Sequence, residues 1–484
     1  MENIKKKVLS SLVWKLLERG GTQGIQFVVQ IILARILSPE NYGTIALISI
    51  FIAIANVFVQ SGFSTALIQR KDTSEEDFSS VFYLSLFTAA IFYLILFVTS
   101  PAIAQFYKNN QLIYILRVLS VTLFFGAFNS VQNAMIARKM QFKKLFFSSL
   151  GSTILSGIVG IFFAYLGYGV WALVIQQLIN QISITLILCF TVEWHPKKVF
   201  SFKRVKVLFS FGWKLLASAL LETLYSNIRS LIIGKLYAPS ALGFYNRGDQ
   251  FPQIIVSNIN GSIQSVIFPA LSSEQDNIEK IKNLVRRAIM ISSFFIFPMM
   301  TILAVTAKSL VIILLTEKWL PCVPFIQIFC ASYALWPIHT ANLQAINALG
   351  RSDIFLKLEI IKKILGTVIL VISIFYGIKA IALGMLLSSV MFSFLNAFPN
   401  LRLLNYSYIE QVKDIVPSLI VSLIMGIIVY SFSYLNISVL TIFIIQVLGG
   451  ILIYILLSKI FKLDSYKYLV QIFLEINKRK GNEK

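Results

Sequence analysis

Lys15, Glu18, Arg19, Thr22, Gln26 and Gln30 follow one another at intervals of three or four residues. In a helix that spacing makes one polar stripe. The stretch that carries it, "WKLLERGGTQGIQFVVQ" from Trp14 to Gln30, reads otherwise as a membrane span, where lipid tails would be expected. Lys and Arg beside a single acid form a surface for an anion, because ammonium and guanidinium groups donate to phosphate and carboxylate oxygens. A second stripe has the same spacing: Lys214, Ser218, Glu222, Tyr225 and Arg229. A third holds Asn246, Asp249 or Gln250, Gln253, Ser257, Gly261 and Gln264, and a fourth Ser49, Asn56, Gln60 and Ser64.

Energy decides which way such stripes point. One Lys or Arg at the centre of a lone span costs roughly 2.5–3.5 kcal/mol on insertion scales. Six cations fall inside spans: Lys15, Arg19, Arg117, Lys214, Arg229 and Arg247. Facing lipid, they would cost on the order of 15–20 kcal/mol, more than a typical folding free energy. A wet interior is therefore expected. The cations can instead pair internally: Lys15 or Arg19 with Glu18, Glu222 with Arg229 or Lys214, Arg247 with Asp249. Only three clear acids, Glu18, Glu222 and Asp249, face the six cations, so the sum leaves positive charge over and points to an anionic substrate. These acids are also the candidates for proton or sodium coupling. No other cofactor and no metal is expected.

The elements that must position these groups follow from composition. The chain has 484 residues, 57% hydrophobic and 13% charged, and apolar runs of about 20 residues recur along it, as in a polytopic helical membrane protein. Fourteen spans are expected, near 11–37, 43–69, 80–104, 112–136, 145–166, 168–190, 208–236, 242–270, 286–314, 322–348, 356–377, 379–400, 415–434 and 438–460. No cleavable leader is expected, since Lys5-Lys6-Lys7 precede a span too long for one. Of the 43 Lys and Arg residues, 31 fall on the N-terminal side of the spans, six on the other side and six within. That bias puts both termini in the cytoplasm of a cell (inner) membrane protein. The basic residues are spread over many loops, so the net charge of +22 is a topological signal and no nucleic-acid partner is expected. Cys189, Cys322 and Cys330 lie in apolar segments without metal-ligand spacing and read as packing residues.

The two halves repeat. "WKLL" at Trp14 recurs at Trp213, and "LARILSPENYG", ending at Gly43, matches "IGKLYAPSALG", ending at Gly243. "TSEED" at Thr73–Asp77 matches "SSEQD" at Ser272–Asp276, and "GYGVWAL" (Gly167–Leu173) matches "GIKAIAL" (Gly377–Leu383). Six helices per unit give both copies the same orientation, related by an axis along the membrane normal with a cleft between them. The expected division is 1–192 (an N-lobe, helices 1–6), 193–207 (a basic linker), 208–402 (a C-lobe, helices 7–12), 403–461 (helices 13 and 14) and 462–484 (a basic tail). By depth, Lys15, Arg19 and Lys214 fall in the cytoplasmic half, and Arg229, Arg247 and Asp249 toward the outside.

"LARILSPENYGTIALISIFIAIANVFVQSGFSTALIQRKDTSEEDF" (Leu33–Phe78), together with "EWHPKKVFSFKRVKVLFSFGW" (Glu193–Trp213), resembles the bacterial polysaccharide exporters. These are the lipid-linked oligosaccharide flippases of the multidrug/oligosaccharidyl-lipid/polysaccharide (MOP) superfamily, and the branch linked to colanic and teichuronic acid is the most similar in flavour. The resemblance runs over nearly the whole chain. It implies an all-α, V-shaped, two-lobe transporter working by alternating access. It also implies a substrate of a few sugars on a polyprenyl pyrophosphate, with polysaccharide polymerase and glycosyltransferases as neighbours in the lipid bilayer. Such a family has no catalytic motif to carry over. Its intramembrane cations correspond here to Lys15, Arg19, Lys214, Arg229 and Arg247.

Gln26, Gln30, Asn56, Gln60, Tyr225 and Gln253 are further candidates to line the cavity. Arg117, with Asn129, Gln132 and Asn133, and His339, with Asn342, either line it or hydrogen-bond helix to helix. The tail, with Tyr466, Leu469, Val470 and Phe473 among lysines, suits the inner membrane face. An enzyme is not expected: there is no D-x-D pair, nucleophile motif or metal cluster. The alternatives are a drug or cation exporter on the same fold, whose site should be acidic and aromatic, and a membrane scaffold, which needs no polar stripes.

Overall fold

A computed structural model describes the backbone of residues 2–482 apart from 61, 71 and 275, and side chains apart from those of 2–6, 8, 9, 211, 262, 266, 472, 473 and 476–482. Of the residues quoted above, Lys5, Lys6, Ser61, Lys71, Phe211, Gln275 and Phe473 lie, wholly or by side chain, outside that description. Among the described residues there is no strand. The chain divides into two compact units, Met1–Gly243 and Phe244–Lys484.

The first unit holds α1 (Glu2–Ile36), α2 (Pro39–Gln60), α3 (Phe63–Gln69), α4 (Glu75–Tyr107), α5 (Gln111–Leu119), α6 (Thr122–Lys139), α7 (Phe142–Tyr165), α8 (Val170–Thr191) and α9 (Phe202–Leu236). It ends in the first turn of α10 (Pro239–Ser272). By contacts it therefore extends past the 193–207 linker and takes in α9, the first helix of the second repeat. The second unit continues α10 and holds α11 (Ile278–Leu315), α12 (Val323–Ala334), α13 (Trp336–Ala348), α14 (Ser352–Ile374), α15 (Ile378–Leu404), α16 (Tyr408–Ser431), α17 (Val439–Ile460) and α18 (Asp464–Asn482).

Every expected span falls on a helix or a broken pair, and the breaks have local causes. The expected span 43–69 is α2 and α3, separated at Gly62, whose φ of 86° is the left-handed region glycine tolerates. The span 322–348 is α12 and α13, and Pro337 sits in the first turn of the second piece, where its missing N–H costs nothing. Capping boxes start α4 (Ser74 with Asp77) and α16 (Ser407 with Glu410).

Among the described residues, eleven helical segments are long and apolar enough to cross a membrane, twelve if α9 counts as one span through its 55° bend. Fourteen were expected. The two not counted are α1 and α14, both long helices: α1 is rich in polar residues, and α14 carries Lys357, Glu359, Lys362 and Lys363 in an otherwise apolar run.

Helix α1 lies on α7: Trp14 meets the Phe146 and Phe147 rings at 5.5 and 6.0 Å, and Val29 fills the space over Gly157. The other long helices keep large apolar side chains exposed, for example Ile158 at 62%, Ile364 at 59% and Leu452 at 62%. In water that would be an aggregation hazard; in lipid it is the solvated surface, with backbone groups satisfied within each helix.

Candidate functional site

Along α1 the polar stripe touches α7 at its start, where Lys15 Nζ lies 5.8 Å from the Phe142 ring centroid. Lys15 Nζ pairs with Glu18 Oε2 at 2.8 Å, the side chains being 49% and 16% exposed. Arg19 and Gln26 are exposed, and Gln30 is half-buried beside Tyr42, whose hydroxyl donates to the Gln30 carbonyl at 3.4 Å. Among the described residues the Arg19 guanidinium has neither a hydrogen-bond nor an ion-pair partner. Glu18 is thus taken by Lys15, and Arg19 is the cation left over.

On α9, Lys214 is exposed and, among the described residues, likewise without a partner. Glu222 is exposed, and Arg229 is half-buried with its guanidinium 5.8 Å from the Tyr225 ring centroid. The two helices that carry the repeated "WKLL" therefore each present an uncompensated cation: Arg19 on α1, one turn beyond the paired Lys15, and Lys214 on α9. On α2, Gln60 Nε2 donates to Asn56 Oδ1 at 3.1 Å, and both side chains lie over Gly126 of α6. Gln253 of α10 is exposed.

Three groups named with these have close partners within the protein. Arg247 is 6% exposed, donates to Gln250 Oε1 at 2.6 Å and lies 5.3 Å from the ring centroid of the fully buried Trp319. Asp249 accepts a 2.7 Å hydrogen bond from the Tyr333 hydroxyl. Arg117 donates through Nε to Ser100 Oγ at 2.9 Å and stands over the Phe97 ring at 4.1 Å, joining α5 to α4.

His339 and Asn342 both hydrogen-bond to neighbouring helices. The His339 ring contacts Ser389 Oγ at 3.3 Å and Asn396 Nδ2 at 3.1 Å. Asn342 is fully buried; its Oδ1 accepts from Asn400 at 2.6 Å and from Gln411 at 3.0 Å. These bonds tie α13 to α15 and α16.

Sequence reasoning missed three charged arrangements. Lys362, counted with the basic loops, stands well inside α14, 8% exposed, with Nζ 2.5 Å from Glu359 Oε1. An i, i+3 Glu–Lys pair in a predicted span was the available signal. In the first unit, fully buried Asp77 accepts from Arg204 Nη1 at 2.9 Å and from the Ser74 amide at 2.8 Å, while Arg204 Nε reaches Glu76 at 2.9 Å. The linker follows: the Lys197 and Ser201 amides donate to Ser79 and Ser80 Oγ, each at 3.0 Å, and Trp194 is buried with Phe78 and Phe82. In the second unit Asp414 accepts from Arg286 Nη2 at 2.6 Å and from the Tyr406 hydroxyl at 2.7 Å. Burial, and then the bond to Asp414, raise the Tyr406 phenol above its ordinary range, so it stays a donor. The helix after each six-helix repeat, α9 or α16, is therefore fastened to the third helix of that repeat, α4 or α11, with acid and base exchanged between the two copies.

Residues 32–324 match the model of a family described as polysaccharide biosynthesis proteins. The chain belongs to this family. Among its relatives, the teichuronic acid biosynthesis protein TuaB of Bacillus subtilis (strain 168) is 27% identical over 366 residues, covering 73% of this chain and 74% of TuaB. The lipopolysaccharide biosynthesis protein WzxC of Escherichia coli (strain K12) is 23% identical over 442 residues, covering 88% and 89%. Among solved structures, the lipid II flippase MurJ in an inward closed conformation matches with a TM-score of 0.77 at 15% identity, over 95% of this chain and 100% of that one. An inward-facing multidrug resistance MATE transporter of the MOP superfamily matches with a TM-score of 0.60 at 16% identity, over 80% and 98%. The fold is of the MOP type, and the chain is a multi-pass membrane protein of the polysaccharide biosynthesis family.

Proposed function

We propose that this protein carries an anionic, polyprenyl-pyrophosphate-linked oligosaccharide from the cytoplasmic to the outer leaflet by alternating access, for cell-surface polysaccharide synthesis. The observation that carries the reading is the pair of cations on repeat-related helices, Arg19 and Lys214, that nothing in the described protein neutralises. A pyrophosphate supplies the missing charge, and the planar Arg fork suits two-point contact with its oxygens. Lys15 and Arg229 add to the positive stripes; Gln26 and Gln60 offer hydrogen bonds to sugar hydroxyls. Arg247, stacked on Trp319, serves chiefly to hold its own helix.

A membrane potential with the inside negative favours outward movement of about two negative charges by roughly 4–5 kcal/mol per 100 mV. Coupling to protons or sodium falls to Glu222 and Glu18, the acids on the same stripes. In this reading the protein sits in the bacterial cell membrane with both termini cytoplasmic, near the polymerase and glycosyltransferases that make and use its substrate, and performs no chemistry itself. A cation exporter on the same fold would need the opposite charge balance.

The test is export of surface polysaccharide by Arg19→Ala and Lys214→Ala. Export should fall at least about tenfold, the cost of one charge-assisted contact, with the protein still inserted at wild-type level. Normal export by both variants would remove these cations from the mechanism.

A further inference from the structure

The segment that joins the two repeats presents a basic and aromatic face of its own. Between Glu193 and Glu222 the chain has no acidic residue, and it carries Lys197, Lys198, Lys203, Arg204, Lys206 and Lys214. Phenylalanines are interleaved with these cations, as in "KKVFSFKRVKVLF" from Lys197 to Phe209. The first piece of α9, Phe202–Ser210, is a helical arm set at 55° to the span Gly212–Leu236 that follows it.

One side of this segment is fastened to the first unit. The Lys197 and Ser201 amides are held by Ser79 and Ser80, and the Arg204 guanidinium by Asp77 and Glu76. Val205 and Leu208 are buried in the same packing. The other side is bare. Phe202, Lys206 and Phe209 recur at intervals of four and three, so they share one helical face, distinct from that of Arg204 and Leu208. Phe202 is 72% exposed and Phe209 50%, the latter with its ring 6.1 Å from that of Phe63. Val199 and Phe200, just before the arm, are exposed as well. So are Lys198, Lys203 and Lys206, and among the described residues no acid pairs with them.

We infer that this face lies in the surface of the membrane leaflet at the basic end of the spans and binds its anionic lipids. Phe200, Phe202 and Phe209 enter the acyl boundary, and Lys198, Lys203 and Lys206 meet the lipid phosphates. Two properties select a lipid surface over a soluble partner. The arm is continuous with the span that begins at Gly212, which sets it at the level of the head groups. Exposed aromatic rings alternating with unneutralised lysines also match an apolar boundary beneath a negatively charged layer. The inference takes from the Proposed function only the name of that leaflet, the cytoplasmic one, and does not depend on the substrate.

The experiment is hydroxyl-radical footprinting of the full chain in nanodiscs of phosphatidylcholine, with and without phosphatidylglycerol, read by mass spectrometry at Phe200, Phe202 and Phe209. Radicals formed in water oxidise the rings that water reaches. Phosphatidylglycerol should lower oxidation of these rings about fivefold or more, the effect of roughly one lysine at an anionic surface. In the triple variant Lys198→Glu/Lys203→Glu/Lys206→Glu the rings should oxidise equally fast in both lipids. The lipid comparison uses the wild-type chain, so it stands whether or not the variant folds. Arg19→Ala and Lys214→Ala should keep the wild-type footprint, which separates this surface from the cations of the proposed transport. Equal oxidation of the wild-type rings in both lipids, or a phosphatidylglycerol effect that survives the triple variant, overturns the inference. Fast oxidation in both lipids would leave the face to a soluble acidic protein instead.

Discussion

Gly43 and Gly243 pack against each other reciprocally. A Cβ on Gly43 would stand on the carbonyl of Pro239, and a Cβ on Gly243 on the carbonyl of Pro39. Each glycine is the fifth residue of a helix that starts with its own proline, α2 or α10, so the two P-x-x-x-G turns form a two-fold-like contact. These are the ends of the "LARILSPENYG" and "IGKLYAPSALG" repeats. The repeat is kept there because backbone must meet backbone, and only glycine leaves the room.

Substituting either glycine should therefore destabilise the fold far more than its lack of side-chain contacts suggests. Gly43→Ala and Gly243→Ala are each expected to cost about 1–3 kcal/mol as overpacking, read as a fall in the melting temperature of the purified protein. Gly20→Ala and Gly24→Ala are the controls: a Cβ there meets nothing within 4 Å. They should be neutral or stabilising by about 0.5–1 kcal/mol, since alanine is the better helix former.

The fastening of α9 to α4 is open to a charge-exchange test. Asp77→Arg places a cation in a buried site facing Arg204 and Arg70, and should abolish accumulation of folded protein. Asp77→Asn should cost about 3 kcal/mol, because the fully buried carboxylate is the shared acceptor of the cap and of Arg204. Combining Asp77→Asn with Arg204→Gln should recover part of that loss. Additive losses in thermal unfolding would show that the two side chains act independently.

Lys362 and Glu359 predict the same asymmetry inside α14. Glu359→Gln leaves a nearly buried ammonium without its acid, and should be the more harmful single change, by about 3 kcal/mol. The double variant Glu359→Gln/Lys362→Met should unfold close to wild type, as apolar replacements of buried pairs often do. If the double variant is as unstable as the single one, the pair has a role beyond compensating its own burial.

Much of this architecture was legible in the chain. Hydropathy located every helix of more than twenty residues, though not α18 in the basic tail, and the P-x-x-x-G and "WKLL" repeats identified the equivalent positions in the two halves. The polar stripes were legible because helical spacing alone places Lys15, Glu18 and Arg19 on one face. What the sequence did not reveal was which charges are spoken for. Arg247 looked like Arg19 in composition, but Trp319, more than seventy residues away, covers it. Asp77 and Arg204 are separated by 127 positions and belong to different repeats, so no local pattern joins them. Lys362 was read with the basic loops because its neighbours Lys357 and Lys363 resemble a loop's charges, whereas Glu359 lets the helix carry it inward. In a chain with cations in excess, knowing which are paired is the step from a general positive interior to particular residues.

The central claim is that the protein moves a lipid-linked oligosaccharide across the membrane, and sidedness tests it most directly. Cells depleted of the protein would be treated with an externally added sugar-modifying enzyme that cannot cross the membrane, and the modified fraction of the lipid-linked pool measured. The account predicts that the pool accumulates and becomes inaccessible from outside, and that accessibility returns with the wild-type protein but not with Arg19→Ala. A pool that stays unchanged in size and fully accessible after depletion would contradict it.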